Sequence, residues 1–145
     1  MPETAFADLA ERLTRALLTG DFTLYRSVMA MPLRVVPRGG QPYVLETEAA
    51  LRHDFDLYAS AVRTAGVTDI WREVVRVTAD AAGTWRVAFR VHIMARAHRV
   101  AEPFGSEMLL VPGIGGLRIA EIVSTAEHID WTLGRGAIGP GSGLI

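Results

Sequence analysis

At Gly66 the spacing of apolar residues changes for the rest of the strand-forming chain, from the 3.6-residue period of a long helix to the two-residue period of a strand. A chain that is helical first and extended afterwards does not alternate its elements as a parallel α/β sheet requires. Helices and strands therefore segregate into layers, which predicts an α+β domain.

Upstream of the switch, Phe6, Leu9, Ala10, Leu13, Ala16 and Leu17 form one stripe between a Thr4 cap and Gly20, which predicts a first helix. Asp21 caps a shorter helix with Phe22, Tyr25 and Val28 on one face. Pro32 is expected to stop it, since proline lacks an amide donor and biases the residue before it away from helix. Leu33 to Val36 and Tyr43 to Leu45 then read as a small hairpin. Thr47 caps a third helix, running to about Ala65 with Leu51, Phe55, Tyr58, Ala59 and Val62 on its apolar side.

Downstream, Trp71, Val75 and Val77 alternate with Arg72, Val74 and Arg76. Trp85, Val87, Phe89, Val91 and Ile93 alternate with Arg86, Arg90, His92, Met94 and Arg96. Asp80 to Thr84 suits a three-residue hairpin loop, a type I turn followed by a left-handed Gly83, so Asp80 pairs with Thr84. That register opposes Val77 with Val87, Val75 with Phe89, Val74 with Arg90 and Trp71 with Ile93. It also keeps arginines from facing one another across the strands, where like charges destabilise. Two more strands, about Phe104 to Val111 and Leu117 to Thr125, flank a glycine turn. The expected architecture is three N-terminal helices on a curved antiparallel sheet of four to six strands, in one domain over residues 1–128. A glycine-rich tail, 129–145, follows, and its Trp131 to Ile145 stretch is expected to pack on the sheet or on a partner subunit.

Composition narrows the chemistry. A chain of 145 residues buries roughly 68–70% of its unfolded surface, enough for a core without staples. The absence of cysteine excludes disulfides, thiolate metal sites and a cysteine nucleophile, and no cofactor is implied. A net charge of −1 argues against nucleic acid or an anionic membrane as a partner. All fifteen basic residues are arginine and asparagine is missing, a compositional bias that keeps arginine from signalling recognition by itself. The acidic start carries no leader pattern and no stretch approaches the ~20 apolar residues of a membrane span, so a cytoplasmic location is expected.

Two carboxylates fall on the apolar parity of their strands. Glu73 aligns with Trp71 and Val75, and Glu121 with Ile119 and Val123. Both are expected to point inward, where desolvation raises a carboxyl pKa and suits it to acid–base work. The alternative is an ion pair with a helix arginine such as Arg52 or Arg63. Glu107 fits either face. Tyr25, Tyr43, Tyr58 and His53 are further candidates, although Tyr58 lies on the core stripe of its helix and His53 on the opposite side. Tyr25, Phe55, Tyr58, Trp71, Val75, Phe89 and Val91 are the expected lining of an interior cavity. The other sheet face would hold Arg72, Arg76, Arg86, Arg90, Arg96 and His92 among Ile70, Val74, Ala88 and Met94. It lacks the aromatic platforms of a sheet that binds RNA, and its texture suits a homodimer surface. Gly113 to Gly116 precedes a strand rather than a helix, so it is a hairpin turn and not a phosphate loop. His128 and Asp130 offer two metal ligands, too few for a stable site.

With the element order in hand, three local strings carry a resemblance. They are Leu45-Glu46-Thr47-Glu48-Ala49-Ala50-Leu51 opening the third helix, the Gly66-Val67 exit into a long strand, and Gly115-Gly116-Leu117-Arg118-Ile119 before the last strand. From Phe6 to Ala126 the chain resembles the nuclear transport factor 2-like superfamily, the cystatin-like cone shared by ketosteroid isomerases, scytalone dehydratase and SnoaL-type polyketide cyclases. The resemblance implies a pocket between sheet and helices, and, in many members, dimerisation through the outer sheet face. The family's catalytic residues do not carry over. The isomerases use a tyrosine on the first helix, a neutral aspartic acid on a strand and an aspartate after the second helix. Here the first helix has no tyrosine, and residues 30–45 contain no Asp, Glu or His. The dehydratase pattern needs two cavity histidines, whereas His92 falls on the outer parity, as does His98. Two functional readings follow: a protein that binds a small apolar molecule, or an isomerase, dehydratase or cyclase using Glu121 or Glu73 as base and a tyrosine as donor. A third is a structural domain whose own side chains fill its interior.

Overall fold

Side-chain oxygens begin two of the three helices where the sequence puts them. Asp21 Oδ1 accepts from the Leu24 amide at 3.0 Å and Thr47 Oγ1 from the Ala50 amide at 3.1 Å. Each satisfies an amide that the first turn leaves orphaned. A computed structural model describes residues 3–81 and 83–124. Its helices are α1 (Glu3–Thr19), α2 (Phe22–Ser27) and α3 (Glu48–Thr64). Its strands are β1 (Met29–Val36), β2 (Tyr43–Leu45), β3 (Asp69–Ala79), β4 (Trp85–Ala95), β5 (His98–Arg99), β6 (Phe104–Gly113) and β7 (Gly116–Ser124). The tail expectation and the His128–Asp130 pair lie outside the described residues, as does the 128/129 boundary.

Two boundaries differ from expectation. α1 begins at Glu3, so Thr4 is inside the helix rather than its cap. Pro32 does not separate helix from strand: α2 ends at Ser27 and β1 runs through the proline. Pro32 falls where the pairing of β1 with β7 shifts, between Met29 and Arg34, and a missing amide donor is tolerated at such an irregularity. Gly20 and Gly66 do end their helices in the left-handed conformation, with φ of 70° and 68°.

Among the described residues the sheet has seven strands, ordered β2-β1-β7-β6-β4-β3, with β5 added against β4. All pairs are antiparallel except β1 with β7. The first hairpin is thus built into the sheet by a parallel partner from the far end of the chain. One face packs on the helices. Leu9, Leu13 and Leu17 of α1 and Leu51, Phe55 and Tyr58 of α3 are buried in one core with Val87, Phe89, Val91, Met108 and Ile119.

The β3–β4 register begins at the hairpin as expected and then departs. The Asp80 amide donates to Thr84 O at 3.1 Å, Gly83 has φ of 74°, and Val77 opposes Val87. Between Arg76 and Val74 the ladder takes in one extra residue, so that Val74 opposes Phe89, Arg72 opposes Val91 and Ile70 opposes Ile93. A single inserted residue moves every side chain beyond it to the other face. Ile70 and Arg72 are therefore buried, at 4% and 8% exposure. Trp71 and Val75, expected inside, stand out at 55% and 60%. The physical reason is the spacing of Val74 and Val77: residues three apart can share a face of a strand only across a bulge. The same holds at the other end of the sheet. Leu109 opposes Glu121 and Leu110 opposes Ile119, leaving Ala120 extra, so Ile119 and Ile122 both face in and Glu121 faces out.

The bulge makes a stability prediction. Ile70→Ala should cost about 2–5 kcal/mol, the range for emptying a core position, whereas Trp71→Ala should cost less than about 1 kcal/mol. Urea denaturation of the two variants checks this, and the reverse order would mean that β3 alternates without a bulge.

Candidate functional site

The outer sheet face is a set of ion pairs. Glu121 receives Arg34 Nη1 at 2.9 Å and Arg86 Nη1 at 3.0 Å, and Arg86 Nη2 also reaches Asp80 at 3.7 Å. Arg76 pairs with Glu107 at 3.3 Å, which settles Glu107 on this face. Glu73 lies 3.2 Å from His92 Nε2, and the His92 ring stacks on Trp71 at 4.6 Å. Neither Glu73 nor Glu121 points inward as its parity predicts, because a bulge intervenes in each case. Partial burial would raise the Glu121 pKa, but the hydrogen bonds from Arg86 and Arg34 outweigh it and hold the carboxyl below its ordinary value. Such a group stays ionised. The helix arginines considered as partners are not involved: Arg52 reaches Asp56 at 3.9 Å and lies over the Phe22 ring at 4.9 Å.

On the inner face a set of polar groups crosses an otherwise apolar interior, from β2 to β3. Tyr43 of β2 donates from Oη to Asp54 Oδ1 of α3 at 3.4 Å and also hydrogen-bonds with Tyr58 of α3. Tyr25 of α2, buried against the Phe55 ring at 4.6 Å, feels the charges of both Asp54 and Arg72. Arg72, expected on the outer face, is instead anchored to α1. Its Nη1 donates to Ala10 O at 3.2 Å and Thr14 Oγ1 at 2.6 Å, while Thr14 Oγ1 donates to Ile70 O at 3.2 Å.

Burial dominates the titration of this set. Desolvation pushes Asp54 from 3.8 up to about 6, against the hydrogen bond from Tyr43 and the charge of His53, which favour the ionised form. It also raises all three phenols, so they remain hydrogen-bond donors, and lowers Arg72 to about 10. Of the predicted lining, Tyr25, Phe55, Tyr58, Phe89 and Val91 are brought together in the core. Trp71 and Val75 are not, and His53 is exposed. Asp54 escaped the sequence reading, and Arg72 was assigned there to the opposite face. Asp54 had a signal: it lies three residues after Leu51 and four before Tyr58, on the flank of the core stripe of α3.

Two hollows adjoin the helices. One, of about 380 Å³, lies between α1 and β3, with Phe6, Ala10, Ile70 and Val74 as walls, Arg72 and Thr14 among its polar groups, and Trp71 also lining it. The other, about 330 Å³, lies where α1 and α3 end, between Leu17, Ala59, Val62 and Val67. Among the described residues no three His, Asp or Glu side chains gather as metal ligands, and no helix is long and apolar enough to cross a membrane.

No protein-family model matches the chain, and no curated protein does. Solved structures do match. A nuclear transport factor 2-like protein from Cytophaga hutchinsonii is 14% identical, with a TM-score of 0.61 over 87% of this chain and 98% of that one. A domain of unknown function with a cystatin-like fold from Nostoc punctiforme is 12% identical, with a TM-score of 0.63 over 86% and 76%. A candidate ketosteroid isomerase from Shewanella frigidimarina is 16% identical, with a TM-score of 0.62 over 83% and 94%. At such identities the likeness carries the fold and no activity.

Asp54 should leave a mark on stability. Its carboxyl pKa is higher folded than unfolded, so its cost is absent below about pH 3.8 and complete above about pH 6. Stability therefore falls as pH rises between these values. Asp54→Asn, which keeps an acceptor for Tyr43, should be more stable than the parent by about 1–3 kcal/mol at pH 7.5 and equal to it near pH 4. Denaturation at both pH values checks this; no gain at pH 7.5 would contradict it.

Proposed function

Since the chain has the nuclear transport factor 2-like, cystatin-like fold, we propose that it binds a small, mainly apolar molecule between the helices and the sheet. The observation that carries this reading is the hollow between α1 and β3. Its 380 Å³ falls within the ~300–1,000 Å³ range of small-molecule pockets, and its apolar walls are joined by Thr14, Arg72 and the acids Glu3, Glu11 and Asp69. Trp71 contributes from the rim, and Tyr25 stands behind Arg72 as part of the polar set. Phe55, Tyr58, Phe89 and Val91 belong to the core and do not line this hollow.

A second reading, an isomerase, dehydratase or cyclase acting on an apolar substrate, is favoured by one observation. Asp54 has the raised pKa that Glu73 and Glu121 were expected to supply, and phenols stand beside it as donors. In that reading Asp54 takes their place as the acid–base group.

A homodimer through the outer sheet face is part of the proposal. Its support is the pair of exposed apolar residues, Trp71 and Val75, next to arginines already neutralised within the chain. Trp71→Glu should shift the protein toward monomer in sedimentation equilibrium, and a parent protein that is monomeric throughout would overturn this part.

The ligand reading is tested with the neutral fluorophore N-phenyl-1-naphthylamine. The parent protein should bind it saturably. Ala7→Trp, at an exposed position of α1 that lines the hollow, should weaken binding about tenfold or more with the melting curve preserved. Undiminished binding to Ala7→Trp would remove the hollow as the site.

A further inference from the structure

Among the described strands β3 ends the order β2-β1-β7-β6-β4-β3, so no strand flanks it on the side of α1. The two faces of the sheet meet at this edge. Ile70, Arg72 and Val74 line the hollow from the helix side, and Trp71 lines it from the outer side. Trp71 is therefore shared: it is part of the lining, yet it stands 55% exposed on the outer face, its ring stacked on His92 at 4.6 Å. A residue that lines a hollow and is itself exposed leaves the hollow open to solvent at that strand. Val75, the extra residue of the bulge, is 60% exposed and lies outside the lining.

The charges beside Trp71 and Val75 suit a second copy of the same surface. Glu73 and Arg90 hold opposed register positions on β3 and β4, and both are exposed. The Glu73 carboxylate turns to His92 at 3.2 Å, and Arg90 makes no ion pair among the described residues. In a two-fold contact residue i meets j and j meets i, so an arginine beside a carboxylate on one face is complementary to its own copy. Exposed apolar side chains with arginine next to them have the composition of such an interface.

We propose that a second copy docked on this face covers the open side of the hollow, so that dimer formation and ligand binding strengthen each other, with Trp71 common to both. The proposal rests on the ligand and dimer readings above and adds the coupling between them. Its physical cause is burial. A ligand in the hollow leaves surface in water at the β3 edge, and a partner lying over Trp71 removes that surface from water. By linkage, the ligand raises the affinity for the partner by the factor by which the dimer raises the affinity for the ligand.

That equality is the test. Sedimentation equilibrium of the full chain, with and without saturating N-phenyl-1-naphthylamine, reads one side. Fluorescence titration of the same probe at protein concentrations below and above the dimer dissociation constant reads the other. Both should show a gain of about fivefold or more, and the two factors should agree. Val75→Glu should be monomeric with a preserved melting curve and bind the probe, at every concentration, as the diluted parent does. Arg90→Glu, which sets like charges on the two copies against each other, should behave in the same way. Unchanged dimer affinity with the probe bound, or weaker binding by the dimer, would overturn the coupling while leaving the hollow and the dimer in place. Variants that dimerise as the parent does would put the partner on another surface and overturn the proposal. A parent that stays monomeric with the probe bound would overturn the dimer and the coupling together, and the absence of saturable binding would overturn the hollow itself.

Discussion

The extra residue at Val75 sets which side chains of β3 meet the helices, because the strand's two-residue period flips across it. Without it Trp71 and Glu73 would enter the interior and Arg72 would face outward. With it, Ile70 and Val74 join the core side, Arg72 is delivered to α1, and a hollow with apolar walls and a fixed donor forms between the two. The bulge at Ala120 does the same service for β7, placing Ile119 and Ile122 inside and Glu121 outside. Both are local devices with long reach: one residue in each strand decides the chemistry of a whole face.

That division separates two kinds of electrostatics. On the outer face Glu107 meets one arginine and Glu121 two, so their charge is neutralised near solvent, where such pairs cost little and contribute little, and Glu73 lies against His92. On the inner side the carboxyl of Asp54 meets phenols instead of an arginine, and Arg72 meets a backbone carbonyl and a hydroxyl. Polar groups held this way in an apolar interior reduce stability, and a fold with so apolar a core has no packing need for them.

Much of the fold was legible because its signals are local. The apolar stripes of α1 and α3, the Asp21 and Thr47 caps, the exits at Gly20 and Gly66 and the Asp80–Thr84 turn each depend on residues within a few positions of one another. The parallel pairing of β1 with β7 joins residues far apart in sequence and left no local trace, so the first hairpin read as an isolated one. Face assignment failed for a different reason. Ile70 with Trp71 and Val74 with Val75 are adjacent apolar pairs, so either parity of β3 presents an apolar set. Only the three-residue spacings, Val74 to Val77 and Ile119 to Ile122, betray the bulges. The candidate site inherited that error. Glu73, Glu121 and Trp71 were placed by parity and came out on the other face, whereas Tyr25, Phe55 and Tyr58 were placed by helical period and proved buried.

The central claim is that the two bulges leave the arginine-paired carboxylates outside, while α3 holds an unsalted one, Asp54, on the helix side. Carboxyl carbon-13 NMR titration tests it most directly, since it reads each side chain separately. The account predicts a midpoint near 6 for Asp54 and one below the ordinary glutamate value for Glu121. A raised midpoint at Glu121 with an ordinary one at Asp54 would contradict it, for it would put Glu121 inside the fold and Asp54 in solvent.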